Sequence, residues 1–395
     1  MTTPANDHWV LPEGVEELLP GEAGRLEAVR RRVLDVFDGW GYDLVMPPMV
    51  EFLESLLTGL GQDLDLETFK VTDQLTGRLM GVRADMTPQV ARIEAHYLRR
   101  RGPVRLCYLG PVLHTRSRSL GGSREPIQLG AELFGHAGPE SDAEIVGLML
   151  EALSVAGVRG AHVDLGHVGV YRELVAAQAL PEPVEAALYA ALRRKSRPDV
   201  DEALAAADLA ESVRRRFAAL SELNGDPSVL ARARDILGGV SAGVDAALGN
   251  LEAIVERCAQ RLPGCPLCVD LAELRGYRYH TGAVFAAYVP GQGQAVAAGG
   301  RYDNIGRSFG YARPATGFSA DLRALVRLVA GGGVARPCVL APGDHDEALL
   351  QAVARLRAAG ERVVTALPGV VREQLTEGCD RQLSHRNGRW EVVPL

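Results

Sequence analysis

Two strand-like runs, Val104–Leu113 and Pro126–Phe134, flank a polar, glycine-containing connection. Their β-branched and aromatic content and their length predict an antiparallel pair joined by a long polar loop. Such a pair is marginal alone and needs further strands and helical cover. Those elements are legible on both sides. Apolar residues at Leu26, Val29, Val33, Leu34, Val36 and Phe37 recur at helical spacing from Gly24 to Trp40, and Tyr42–Met46 reads as a strand stopped by Pro47-Pro48. A helix over 88–101, a helix over 140–156 and a strand over 161–165 follow. Residues 168–262 are rich in Ala and Leu and broken by Pro181, Pro183, Pro198, Asn224-Gly225 and Gly238-Gly239, the pattern of several amphipathic helices. Strand patterns return at 267–271, 282–289 and 294–298, and a final core helix is expected over 317–330, ended by Gly331-Gly332-Gly333. The tail reads as strand 337–341, helix 345–359, strand 361–366, then a helix and a strand. The fold class is α+β: an antiparallel sheet flanked by helices (1–167 and 263–333), a helical insertion (168–262) and a small C-terminal α/β unit (334–395).

Bulk properties narrow the function. A 395-residue chain with 47% apolar and 24% charged residues is ordinary globular material. No run of about 18 apolar residues occurs, which argues against a membrane span. The N-terminal MTTPANDHWVLPEG lacks the basic start and apolar core of a signal peptide, so cytoplasmic residence is expected. A net charge of −7 without a concentrated Lys/Arg block argues against tRNA as the principal ligand. Of six cysteines only Cys265-Pro-Leu-Cys268 has metal-like spacing, and a zinc site needs about four ligands. The favoured reading there is small residues entering a buried strand, with no metal and no cofactor.

Candidate ligand-binding residues lie in four stretches: VRADMTPQVARIEA (82–95), CYLGPVLHTRSRSLGGSREPIQLGAELFG (107–135), ELRGYRYHTGAVF (273–285) and AAGGRYDNIGRSFGYARPATGFSADLRAL (297–325). Asp85 and Thr87, two apart, share a face of an extended segment; alternatively they satisfy free N–H groups at a helix start. Gln128 and Glu132, four apart on a strand, also share a face, which is either a pocket wall or exposed surface. A buried Glu132 requires a hydrogen-bond partner. Arg275 stands beside Tyr279, His280 and two glycines, which favours a binding role over surface solvation.

The order and wording of these stretches resemble the catalytic core of histidyl-tRNA synthetase, a class II aminoacyl-tRNA synthetase, over about residues 10–340. Helix, strand and proline at 24–48 resemble motif 1, which builds the dimer interface in that family. In the resembled enzymes the matching positions bind histidine, which implies a histidine-binding role for Asp85, Thr87, Gln128, Glu132, Arg275, Tyr279 and His280. The family's Arg-Gly-Leu-Asp-Tyr-Tyr loop is matched by Arg275, Gly276 and Tyr279, whereas Arg278 and His280 depart from it. The Ala298-Gly-Gly-Arg301-Tyr-Asp303 match reads as scaffold. The ATP-handling motifs depart further. Phe-Arg-x-Glu reads Leu113-His114-Thr115-Arg116, and Gly-Leu-Glu-Arg reads Asp321-Leu322-Arg323-Ala324. His114, Arg116, Asp321 and Ala324 thus stand at degenerate ATP-site positions, and adenylation is not expected.

The chain resembles most the paralogous family of ATP phosphoribosyltransferase regulatory subunits, including its Arg-x-Asp-Met-Thr and Tyr-x-Tyr-His-Thr-Gly variants. That resemblance implies a non-catalytic subunit needed by the short-form catalytic chain in the first step of histidine biosynthesis. It further implies free histidine as feedback effector, a homodimer through the core and a hetero-oligomer with the catalytic chain. The alternatives are a synthetase-like adenylating enzyme and a tRNA-binding regulator.

Overall fold

The computed structural model describes residues 9–58, 62–117, 122–207, 209–262, 264–329, 337–344, 346–370 and 378–395. Two compact units are distinguishable, a large one holding residues 1–18 and 24–330 and a small one holding residues 19–23 and 331–395.

In the large unit α1 (Pro20–Gly39) buries Leu26, Val29, Val33 and Phe37, a three-to-four-residue spacing that puts one stripe on the core. Gly41, at φ +78°, turns the chain into β1 (Asp43–Leu44), where Pro47-Pro48 stops pairing. Next come β2 (Val50–Phe52), α2 (Leu53–Leu56), α3 (Gln62–Glu67), β3 (Phe69–Thr72) and β4 (Leu79–Val82). The helix α4 (Thr87–Arg92), with Pro88 in its first turn, widens into a π-helical turn over Ile93–Leu98, and the Arg99 amide donates to Glu94 five residues back. The central hairpin is β5 (Val104–Pro111) and β6 (Ile127–Phe134), followed by α5 (Pro139–Val155) and β7 (His162–His167). Helices α6 (Val168–Gln178), α7 (Glu182–Arg193), α8 (Arg197–Ala205) and α9 (Glu211–Leu220), the short β8 (Asn224–Gly225), α10 (Val229–Leu237) and α11 (Ala242–Arg261) occupy the middle of the chain. The sheet is completed by β9 (Leu267–Asp270), β10 (Ala283–Tyr288), β11 (Ala297–Arg301) and β12 (Ala315–Asp321), and α12 (Leu322–Leu328) follows.

Among the described residues, nine strands form one sheet in the order β1-β5-β6-β12-β11-β10-β7-β9-β8, and β2-β4-β3 form a second. The large sheet is mixed rather than purely antiparallel, because β1 pairs with β5 and β7 with β9 in parallel. Its two faces carry different loads, as strand alternation requires. Cys107, Leu129, Ala131, Leu133, Phe285 and Phe318 pack with α1, α5 and α11 in one core. Leu106, Tyr108, Met86 and Val90 form a second, smaller core on the opposite face.

Three expectations need correction. Residues 315–321 are strand, not the start of a helix over 317–330: β12 sits between β6 and β11 and is hydrogen-bonded on both sides, which overrides local propensity. The strand expected at 294–298 runs over Ala297–Arg301, because Gly299 and Gly300 pair with Phe318 and Gly317. The strand expected at Tyr42–Met46 contracts to two residues.

The small unit contains β13 (Val339–Ala341), α13 (Glu347–Ala358), β14 (Val363–Thr365), β15 (Arg381–Arg386) and β16 (Arg389–Pro394), ordered β14-β13-β15-β16. Its last element is a hairpin where a single strand was expected, turned at Asn387-Gly388 with φ +48° and +76°, the geometry a two-residue loop prefers. Any helix before it falls at 371–377, outside the described residues, as does the triple-glycine breaker. The core is slight: Val339, Ala341, Leu349, Val353, Val363 and Leu383. β13 and β15 share only two register pairs, and the Cys338–Cys379 disulfide, 41 residues apart in sequence, ties the chain just before each strand.

A unit this small depends on its staple. Loop-closure entropy puts the disulfide's contribution at about 2–4 kcal/mol. Reduction, or a Cys338→Ser/Cys379→Ser double substitution, is therefore expected to raise amide exchange throughout Arg381–Pro394. Exchange unchanged by reduction would show that the six-residue core suffices.

Candidate functional site

The site grows from β6. Gln128, Gly130 and Glu132 face one side and lie opposite Asp321, Ser319 and Gly317 of β12. Two glycines make room on that face. A Cβ at Gly317 would lie 1.5 Å from the Glu132 Oε2, and one at Gly130 would meet the Tyr108 ring and hydroxyl at 2.4 Å. Glu132 is 1% exposed. One carboxyl oxygen accepts from the Tyr108 hydroxyl at 3.0 Å and the other from the Tyr302 hydroxyl. Because Tyr108 gives its proton to Glu132, the 2.9 Å contact between Tyr108 and Thr87 is donated by the Thr87 hydroxyl.

That contact fixes the start of α4. The Met86 amide donates to Gln128 Oε1 at 2.9 Å, and Gln128 Nε2 donates to Asp85 Oδ1 at 2.9 Å. Asp85 Oδ1 also accepts from the Thr87 amide at 2.9 Å, so the helix-start role and the cross-strand role coexist. Asp85, Thr87, Gln128 and Glu132 form one hydrogen-bonded chain through Tyr108.

Tyr279 and His280 adjoin it. Tyr279 stacks on Tyr302 with centroids 5.3 Å apart, and its hydroxyl is buried without a hydrogen-bond partner among the described residues. The His280 ring is held between two glycines: a Cβ at Gly276 or Gly300 would meet it at 2.6 or 2.9 Å. Gly276 also has φ +63°, a conformation costly for other residues. The Arg301 carbonyl lies 3.3 Å from His280 Nδ1, so Nδ1 carries the proton and Nε2 is left as acceptor. Arg275 stands apart: its guanidinium meets the Tyr288 hydroxyl at 2.8 Å and Glu273 at 3.7 Å, and its side chain is 43% exposed.

Burial sets the protonation states. Desolvation raises Glu132 to about 8 against the pull of the two tyrosine hydroxyls, so burial favours its neutral form. Burial lowers His280 to about 4, and the Arg275 charge adds to the shift. Burial also keeps the Tyr108, Tyr279 and Tyr302 phenols protonated. An N–H donor entering beside Glu132 would favour its charged form.

The four degenerate positions are occupied differently. His114 is buried and donates from Nε2 to the Ala84 carbonyl at 2.9 Å, bracing the segment that carries Asp85. Asp321 Oδ1 accepts from the Ile127 and Arg323 amides at 3.1 and 3.0 Å, capping α12, and burial raises its pKa. Arg116 and Ala324 are exposed. Arg323 is buried instead, its guanidinium donating to the Glu16 carbonyl at 3.3 Å.

Tyr108 and Tyr302 were not singled out from the sequence. Tyr302 lay inside a segment read as scaffold, and Tyr108 gave a signal only through its register opposite Gly130. A cleft of about 360 Å³ lined by Leu53, Glu54, Leu57, Arg78 and Leu79 shares no residue with the network. Cys265 and Cys268 are free and half-buried, and no helix among the described residues is long and apolar enough to cross a membrane.

Comparison with known proteins adds three findings. Residues 14–325 match the family model described as histidyl-tRNA synthetase, and residues 336–393 match the ATP phosphoribosyltransferase subunit HisZ C-terminal domain. An ATP phosphoribosyltransferase regulatory subunit of Nitrosococcus oceani is 53% identical over 392 residues, covering 99% of this chain and 98% of its own. One from Thioalkalivibrio sulfidiphilus is 56% identical, covering 99% of both. Among solved structures, a Bacillus halodurans protein titled ATP phosphoribosyltransferase regulatory subunit/histidyl-tRNA synthetase has TM-score 0.83 at 27% identity, covering 95% of this chain and 97% of its own. Histidyl-tRNA synthetase from Nostoc has TM-score 0.80 at 18% identity, covering 98% and 97%, which speaks for the fold alone.

The Glu132 geometry makes two predictions. With its folded pKa above the unfolded value, Glu132 contributes stability fully present below about pH 4.5 and lost as pH rises through about 8. Urea denaturation from pH 5 to 9 should show a steeper loss for wild type than for Glu132→Gln; parallel profiles would mean Glu132 is ionised throughout. Gly317→Ala should destabilise by more than about 2 kcal/mol, since the methyl and the carboxyl cannot coexist. A melting temperature within 1–2 °C (~0.5 kcal/mol) of wild type would contradict that packing.

Proposed function

Since the chain belongs to the family of ATP phosphoribosyltransferase regulatory subunits, we propose that it serves histidine biosynthesis as a non-catalytic partner of the short catalytic chain and that its pocket binds free histidine. The observation that carries this reading is the chain Asp85–Gln128, Thr87–Tyr108–Glu132, beside the unpartnered Tyr279 hydroxyl. Each part suits one piece of the ligand. Asp85, Thr87 and Gln128 offer acceptors to the ammonium. Glu132 accepts an imidazole N–H, and the contact favours release of its own proton to solvent. Tyr279 and His280 complete the ring's polar contacts, and Arg275 swings from Tyr288 to the ligand carboxylate.

The same residues argue against adenylation. An enzyme that drives a carboxylate onto the ATP α-phosphate needs fixed positive charge where phosphate charge develops, and loss of one such donor costs about 10²–10³ in rate. Position 114 holds an imidazole tied to a carbonyl and position 324 holds alanine. A net charge of −7 supports the exclusion of tRNA. Leu44 and Met46, 43% and 74% exposed at the edge of the large sheet, support a homodimer through that edge. Kinship with biosynthetic subunits supports a cytoplasmic setting.

Calorimetry should detect histidine binding to the purified chain, weakened by about 1–3 kcal/mol in Glu132→Ala. Unchanged affinity removes Glu132 from the pocket. Reconstitution with a short catalytic chain should raise phosphoribosyl transfer and make it histidine-sensitive, whereas histidine-dependent ATP–pyrophosphate exchange by the chain alone would overturn the non-catalytic reading. If Arg275→Ala abolishes histidine binding yet leaves the complex equally inhibitable, the sensor lies on the catalytic chain.

A further inference from the structure

The loop between β9 and β10 carries Arg275, Tyr279 and His280, and its pocket-distal side rests on the helical insertion. Three loop carbonyls converge on one guanidinium. Arg172 of α6 donates to the Tyr277 carbonyl at 2.9 Å, the His280 carbonyl at 2.8 Å and the Thr281 carbonyl at 3.5 Å. The Leu274 carbonyl is met by the Tyr189 hydroxyl of α7 at 3.4 Å. Inside the loop the Tyr279 and His280 amides both return to the Gly276 carbonyl, which makes residues 276–280 a tight turn. Side chains leave this turn in two directions. Tyr279 and His280 join the pocket, whereas Tyr277 packs against Tyr171 of α6 and Tyr189 of α7, with centroids 5.1 and 5.6 Å away, and donates to Glu185 at 3.2 Å. Lys195, in the left-handed region at φ +53° just after α7, reaches the buried Asp270 at 2.7 Å where the loop begins.

We propose that Arg172 is a positioning residue for the 275–281 loop, and that α6 and α7 report the occupancy of the pocket to the surface of the insertion. The second half rests on the histidine reading of the pocket. The physical basis is that the turn is short and internally bonded, so a displacement of Tyr279 or His280 by a ligand moves Tyr277 with it. Tyr277 is seated between two helices and bonded to Glu185, so α7 must yield or follow. A planar guanidinium suits the clamp because its fork of fixed donors satisfies several carbonyls at once, which an ammonium cannot do with the same geometry. Coupling of this kind shifts an equilibrium only by the difference in contacts between two states.

The test is amide exchange by mass spectrometry on the full chain, with and without saturating histidine, together with calorimetry. In wild type, histidine should slow exchange over 275–282 and also over Glu182–Arg193. Tyr277→Phe keeps the ring and the Arg172 bonds to the loop carbonyls but loses the hydroxyl's contacts with Glu185 and Arg172, so it should bind histidine within threefold of wild type while losing the effect on Glu182–Arg193. Arg172→Gln should raise loop exchange at least tenfold in the free protein and weaken histidine at least tenfold, with Arg172→Lys between the two. Loop exchange unchanged in both Arg172 variants overturns the clamp. Helix 182–193 unaffected by bound histidine in wild type, or still affected in Tyr277→Phe, overturns the relay. Failure of wild type to bind histidine would refute the pocket reading and with it the relay, while the clamp is still decided by the ligand-free exchange of the Arg172 variants.

Discussion

A carboxyl group buried in the middle of a nine-stranded sheet is the constraint on which the large unit's architecture turns. Glu132 needs donors, space and cover, because an unpaired buried carboxylate costs several kcal/mol. Tyr108 and Tyr302 supply the donors, and Gly317 and Gly130 clear space for the carboxyl group and the Tyr108 ring. Met86, just before α4, and Val90 of α4 cover Tyr108 in the smaller core. Thr87 then links that cover back to Tyr108, and Asp85 links it to Gln128. Helix, hairpin and central strand are thereby fastened to one another by groups that also line the site. The structural demand and the proposed binding chemistry fall on the same atoms.

The polar groups around Glu132 differ in what they leave free. Those nearest the degenerate positions are largely committed: His114 to a carbonyl, Asp321 to two amides, and Arg323 to the N-terminal arm through Nη1, although its buried Nε has no partner among the described residues. Those nearest the recognition loop are not. The Tyr279 hydroxyl lacks a partner among the described residues, and the His280 Nε2 is left as an acceptor. A buried unpaired hydroxyl is costly to keep, so its persistence beside Glu132 fits a ligand that completes it. The insertion helices reach the same loop from behind through Arg172 and Tyr277, which puts the binding groups and the insertion on opposite sides of one turn.

Much of this was legible residue by residue. The spacing of Gln128 and Glu132 put both on one face, and Asp85 and Thr87 could be paired with them once the strand was recognised. The helical insertion was visible in its composition, and α1 in its apolar period. Errors arose where a local pattern was ambiguous. Ala315–Asp321 is short, small and apolar, a run that suits a buried strand or a buried helix equally; only its place between two strands decides. The three-stranded sheet β2-β4-β3 had no distinct signal, since its strands are three or four residues long.

The sequence by itself carried the family resemblance, the fold class and the candidate site residues, because these depend on residue type and on order and spacing along the chain. The tertiary structure alone decided which of those side chains meet. Tyr302 reaches Glu132 across 170 positions and Gln128 reaches Asp85 across 43. It turned Arg275 toward Tyr288, committed Asp321 to capping a helix, and joined Cys338 to Cys379. It also set the protonation of Glu132 and His280, because burial depends on neighbours brought in from distant parts of the chain rather than on the residues beside them in sequence.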